Sequence, residues 1–153
     1  MNPIHPALAP LAAVAKNNPQ LLGEPLRAAL REPAWLRPEH RVGDPSAYMR
    51  HVLYVDPDGD FVITAITWLP GQLSPVHGHH VWCAFGVAEG ELTEERFGPD
   101  LSVLMTARYT AGEVADPSQI HRVSNRGRIP LVSLHLYGVS AERLTTGINR
   151  IYA

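Results

Sequence analysis

Three histidines carry the strongest chemical pattern in this chain. His77 and His79 stand two residues apart in Gly71–Gly90, GQLSPVHGHHVWCAFGVAEG, just ahead of an apolar run. On an extended strand, residues two apart project to the same face, so both imidazoles can converge on one point. His121, in Ile120-His121-Arg122-Val123, supplies a third imidazole from another strand-like segment. Neutral imidazole is a good ligand for zinc, copper, nickel or iron. Three of them from two strands would hold one metal and leave positions open for substrate. His80 offers a second register in His-Gly-His-His, but strand phase puts it on the opposite face, outside the ligand set.

Other residues could do chemistry beside such a metal. Ser133, His135 and Tyr137 alternate with Leu134 and Leu136, so the three polar side chains share one strand face. If that face is buried they need partners; a wetted outer face is the plainer alternative. Arg50, in Tyr48-Met49-Arg50, carries a guanidinium that matches a carboxylate in bidentate fashion; a solvated strand arginine is the alternative there. Cys83 has the same strand phase as His77 and His79, and a lone cysteine is also commonly a small buried hydrophobe.

Strands must position these residues. Tyr48–Val55 alternates, Asp56-Pro57-Asp58-Gly59 has turn chemistry, and Phe61–Leu69 is rich in β-branched residues before Pro70-Gly71. Further strands are expected over His79–Ala88, Glu91–Phe97 and Leu101–Tyr109, around Val114 and His121, and over Leu131–Tyr137. Many short strands with turn signals at close spacing indicate an all-β sandwich or barrel. Upstream, residues 6–16 and 20–31 read as two short helices separated by Asn17-Asn18-Pro19, with Leu22, Leu26 and Leu30 at helical spacing. Trp35-Leu36 is expected to pin the following irregular segment to the barrel. Residues 1–45 thus form a helical N-terminal cap, and residues 46–153 form the barrel of one domain.

The spacing around the histidines resembles a known family. Gly71, five residues, His77-x-His79, three residues, Cys83, six residues and Gly90 resemble the first cupin motif, with Cys83 in place of the usual glutamate. Pro117-x-x-x-His121-x-x-x-Asn125 resembles the second motif, shortened by one residue. Three histidines without the glutamate, followed by Ser133-x-His135-x-Tyr137, are similar to the thiol dioxygenases, which include cysteine dioxygenase and 3-mercaptopropionate dioxygenase. The resemblance runs from Trp35 to Tyr137. It implies a cupin double-stranded jelly-roll barrel and iron(II), Fe(II), held by His77, His79 and His121. The implied activity adds both atoms of dioxygen to the sulfur of a small thiol carboxylate, giving a sulfinate. Tyr137 would stand beside the iron, oriented by His135 and Ser133, and Tyr48, Arg50 and Trp68 would contact the substrate.

Features of both branches of that family occur together. Tyr48-x-Arg50 matches the cysteine enzymes and favours L-cysteine. Trp68-Leu69-Pro70-Gly71-Gln72, Trp82 and Tyr137-Gly138 look more like the mercaptopropionate branch, which draws its arginine from beyond the tyrosine strand; Arg143 and Arg150 are the candidates there. A thioether between Cys83 and Tyr137 is the further feature that the resemblance brings, from the eukaryotic cysteine enzymes. The rival from a different class is a metal-binding cupin without redox chemistry, a sensor or an isomerase using zinc or nickel.

Composition narrows the rest. A chain of 153 residues with 45% hydrophobic and 18% charged content fits a globular domain with a real core. Net charge −2 provides no basic footprint for nucleic acid or a membrane surface. One cysteine leaves no internal disulfide and points to a reducing compartment. The N-terminal apolar patch is too short and too proline-broken for a secretory signal, so a cytoplasmic monomer or small homo-oligomer is expected.

Overall fold

The computed structural model describes residues 3–116 and 120–153. Pro117, the first residue of the second motif, lies outside them. A 3-10 turn at Pro6–Leu8 leads into α1 (Ala9–Asn17), and α2 (Gly23–Arg31) follows a second such turn. Leu22, Leu26 and Leu30 are buried together, as their spacing requires. Trp35 is buried just after α2 and donates its indole N–H to the Ala29 carbonyl at 2.8 Å, which ties the chain back to the helix it has left.

Among the described residues ten antiparallel strands follow: β1 (Met49–Val55), β2 (Val62–Trp68), β3 (His77–His79), β4 (Cys83–Glu89), β5 (Glu91–Phe97), β6 (Val103–Thr110), β7 (Val114–Ala115), β8 (His121–Ser124), β9 (Leu131–Tyr137) and β10 (Asn149–Ile151). They form two five-stranded sheets, ordered β1-β2-β9-β4-β7 and β10-β3-β8-β5-β6. Turns at Gly59, Gly71 and Gly90 have φ of 76°, 88° and 84°, in the left-handed region that glycine adopts without a Cβ clash.

One strand expected from sequence is two. The segment His79–Ala88 breaks at residues 80–82, leaving β3 in one sheet and β4 in the other. At the break the His80 N–H donates to the Ile148 carbonyl, and the Trp82 carbonyl accepts from Gly138 N–H, so the backbone is satisfied while the chain changes sheets. β10, which no sequence signal marked, pairs with β3 along its whole length.

Two apolar layers account for the burial. Between the sheets lie Ile66, Trp68, Phe85, Val87, Leu92, Val123 and Leu131. On the other side of the first sheet, Leu8, Leu11, Leu26 and Leu30 pack with Ile63, Ala65, Leu134 and Leu136. β9 is therefore buried on both faces, with Leu134 and Leu136 toward the helices and Ser133, His135 and Tyr137 toward the opposite sheet. The wetted-face alternative for those three residues does not hold. Gly86 lies on the helix-facing side, where a Cβ would strike Leu30 and the Glu113 carbonyl; its bareness lets α2 approach β4. At the far end of α1, Lys16 Nζ bridges Asp56, Asp58 and Asp60 of the β1–β2 turn at 2.9, 2.8 and 2.7 Å.

Candidate metal centre and active site

Register brings the three histidines together. β3 and β8 pair so that His77 lies directly opposite His121, and directly opposed residues share a face. His79, two residues on, adds the third ring, and one nitrogen from each lies within 4.8 Å of the others. His80, exposed, is not part of the cluster.

The outer nitrogens set the tautomers. His77 Nδ1–H donates to the Pro75 carbonyl at 2.8 Å. His121 Nδ1–H donates to Glu94 Oε2 at 2.6 Å. Both rings therefore turn Nε2 inward, and these two nitrogens are 3.1 Å apart. Lone pairs facing each other at that distance repel, and a cation shared between them resolves the conflict. Burial, then the neighbouring His121, lowers the His77 pKa to about 4; burial, then His121 and His77, lowers that of His79 to about 3. Both rings are neutral at neutral pH, and the donor set fits a first-row transition metal.

The cluster opens into a cleft of about 350 Å³, its open mouth included. Arg50, Trp68, Cys83, His135, Tyr137 and Asn149 contribute to its wall. Arg50 enters from β1, where it pairs with Ile66. Its Nε is buried without a partner, and its guanidinium carbon lies 5.6 Å from the centre of the Tyr137 ring. Arg143 and Arg150 are exposed and do not line the cleft. Tyr48 stacks on Trp68 with ring centres 4.4 Å apart.

Ser133, His135 and Tyr137 form a directed chain. The indole N–H of Trp68 donates to Ser133 Oγ at 2.9 Å. Indole can only donate, so the Ser133 hydroxyl has His135 Nε2, 2.7 Å away, as its acceptor. Burial, then Arg50, holds the His135 pKa well below its ordinary value, so the ring carries one proton. That proton is on Nδ1, which donates to the Tyr137 oxygen at 3.1 Å. The Tyr137 hydroxyl is then free to donate into the cleft. Burial raises the phenol pKa further, with the nearby Cys83 adding to it and Arg50 opposing, so the proton stays in place. Phe85 stacks on the His135 ring at 5.0 Å and 6°, fixing its plane.

Cys83 faces the cleft although the strand-phase argument for it fails, because β4 belongs to a different sheet from β3. It lies directly opposite Tyr137 across the β4–β9 pair, which brings sulfur and phenol to neighbouring positions. Burial pushes its thiol pKa up.

Sequence reasoning missed two residues here. Asn149 reaches the cleft from β10, opposite His79. Glu94 is fully buried on β5 behind His121. Its signal was phase: Glu94 is two residues from the core residue Leu92, a carboxylate on an apolar face.

Comparison with known proteins bears on the family and the fold. The sequence model of the family described as cysteine dioxygenase type I matches residues 33–144. Among solved structures, a conserved double-stranded beta-helix protein from Klebsiella pneumoniae aligns with TM-score 0.54 at 22% identity, over 67% of this chain and 86% of its own. TT1209 from Thermus thermophilus gives 0.55 at 19% identity, over 66% and 91%. Bacillus subtilis oxalate decarboxylase gives 0.52 at 21% identity over 63% of this chain, but only 27% of that longer protein is matched. At these identities the structural matches establish the fold, an all-β cupin barrel.

Proposed function

This chain belongs to the cysteine dioxygenase type I family, and from that premise we propose that it is a non-haem iron(II) thiol dioxygenase acting on a small thiol carboxylate, L-cysteine foremost. The reaction adds both atoms of dioxygen to the thiol sulfur and yields the sulfinic acid. Electrons lost by sulfur equal those gained by dioxygen, so no outside reductant is needed. The observation that carries the reading is the convergence of three histidine nitrogens within 4.8 Å in the cleft that also contains Arg50 and Tyr137.

His77, His79 and His121 would hold the iron. When bound, iron(II) supplies a Lewis acid that lowers the thiol pKa and the one-electron chemistry that dioxygen requires. The chain's own residues do the rest. Arg50 offers its guanidinium, whose Nε–H is buried without a partner, to the substrate carboxylate, fixing where the thiol points. Tyr137 offers its hydroxyl proton to the reacting end of the substrate, held in that role by His135, Ser133 and Trp68. Phe85, Ile66 and Val123 line the cleft with apolar surface that limits water. A thioether from Cys83 to the Tyr137 ring would form oxidatively during turnover, with dioxygen as acceptor of the two hydrogens lost; the opposed positions of the two residues support it. In this reading residues 1–45 are a cap that backs β9, and a reducing cytoplasmic setting suits a thiol substrate.

A second reading rests on one observation. No acidic side chain lines the cleft among the described residues, so an α-ammonium has no counter-ion there. This favours 3-mercaptopropionate, which has the thiol and carboxylate without the amine. A panel of small thiols scored for oxygen uptake and sulfinate separates the two: preference for L-cysteine supports the first, preference for 3-mercaptopropionate the second. No uptake with any thiol by the iron-loaded chain would return it to the class of non-redox metal-binding cupins.

A further inference from the structure

Glu94 is the carboxylate least exposed to water near the cleft, and its contacts point in one direction. Its residue is 0% exposed. Oε2 accepts from His121 Nδ1 at 2.6 Å, the shortest hydrogen bond around the three histidines. Oε1 accepts from Arg96 Nε at 2.9 Å, with the Tyr109 hydroxyl at 3.4 Å. Arg96 in turn donates to Tyr109 at 2.9 Å, which closes the network on its outer side. β5 and β8 are paired so that Glu94 faces Val123 and Arg96 faces His121. The carboxylate is thus held from behind by a guanidinium and aims its other oxygen at the one histidine that arrives from β8.

A buried carboxylate is tolerated when it is paired and hydrogen-bonded, and here both oxygens are occupied. Its effect on His121 follows from elementary chemistry. Accepting from Nδ1–H fixes the ring's tautomer and orientation, and the negative charge raises the donor strength of Nε2 toward a cation. His77 receives only a neutral carbonyl in the same position, so the three ligands are unequal.

We propose that Glu94 is a positioning residue of the metal centre: through its charge on His121 it sets the affinity of the three-histidine site for a divalent metal, with Arg96 holding it in place. This rests on the three-histidine reading of the metal site. Neither the three-histidine pattern nor the cupin-like spacings include this residue.

The experiment compares metal affinity in the full-length wild-type chain, Glu94→Gln and Arg96→Met, using zinc(II) and iron(II) against a competing chelator. Glu94→Gln keeps the shape and can still accept from His121 but lacks the charge. The expected result is a loss of affinity for both metals of about ten- to a hundredfold, the range found for such outer partners. Arg96→Met is expected to weaken binding less, because the carboxylate remains. Glu94→Gln binding as tightly as wild type, with wild type binding one metal per chain, overturns the role of Glu94 alone. Wild type binding no metal at all overturns the three-histidine reading instead. Should Glu94→Gln fail to fold, nitrogen-15 spectra of the metal-free wild-type chain decide: His121 protonated on Nδ1 supports the proposal, and protonation on Nε2 overturns it.

Discussion

Replacing Arg50 with glutamine is the sharpest perturbation of substrate recognition. The guanidinium reaches the cleft from β1 with Nε buried and unpartnered, so that N–H is available to a ligand. Glutamine fills much of the same space but removes the charge and the planar fork. A hydrogen bond to a charged group contributes roughly 1.5–3 kcal/mol, which corresponds to about a ten- to hundredfold fall in kcat/KM. A carboxylate held equally before and during the chemical step loses this mainly in KM. Arg50 also lies over the Tyr137 ring, where it opposes the burial that raises the phenol pKa, so a smaller change in kcat is expected as well. Initial rates of oxygen uptake with L-cysteine and with cysteamine separate the two effects. Cysteamine has no carboxylate, so its kcat/KM should change little between wild type and Arg50→Gln. An unchanged kcat/KM for cysteine would refute the carboxylate assignment. An equal fall for both thiols would show that Arg50 acts through Tyr137 instead.

Other outcomes follow from the same geometry. His121→Ala removes one of the converging nitrogens and should lose bound iron together with activity; full iron occupancy by elemental analysis would contradict the ligand set. After many turnovers, the intact mass should fall by two hydrogens as Cys83 and Tyr137, opposed across β4 and β9, become joined; only unmodified peptides would leave Cys83 as packing. Asp56 supplies the pH dependence of stability. Burial alone would raise its carboxyl pKa, but hydrogen bonds from Lys16 and the Asp60 backbone outweigh it and depress the folded value. Stability from a depressed carboxyl is present above its unfolded value of about 3.9 and is lost as pH falls through the folded one. Lys16→Met should therefore lower Tm at neutral pH and approach wild type on the acid side; melting curves offset equally at every pH would refute this.

Much of the site was legible because strand periodicity is strict. Two-residue spacing placed His77 beside His79 and put Ser133, His135 and Tyr137 on one face, and β9 satisfies that pattern along its full length. Arg50 was singled out by the Tyr48-x-Arg50 resemblance, while its residue type alone did not separate it from a solvated strand arginine; its cleft position and buried Nε do. The break at residues 80–82 was not legible, since an apolar run reads the same whether it stays in one sheet or crosses to another. The register that sets Cys83 opposite Tyr137 depends on that crossing. Asn149 was hidden for a related reason: β10 is three residues long, and its place is decided by pairing with β3 rather than by its own composition. Trp68 was expected at the substrate, and its ring does line the cleft, while its N–H is committed to Ser133 through a contact between distant strands.

The most direct test of the dioxygenase reading follows the oxygen atoms. The iron(II)-loaded chain is supplied with L-cysteine, and in parallel with 3-mercaptopropionate, under oxygen-18 gas, and the product is analysed by mass spectrometry. The expected result is a sulfinate in which both oxygens carry the label, formed in equal amount to the dioxygen consumed. Disulfide without labelled sulfinate, from a chain with iron at the three histidines, would contradict it.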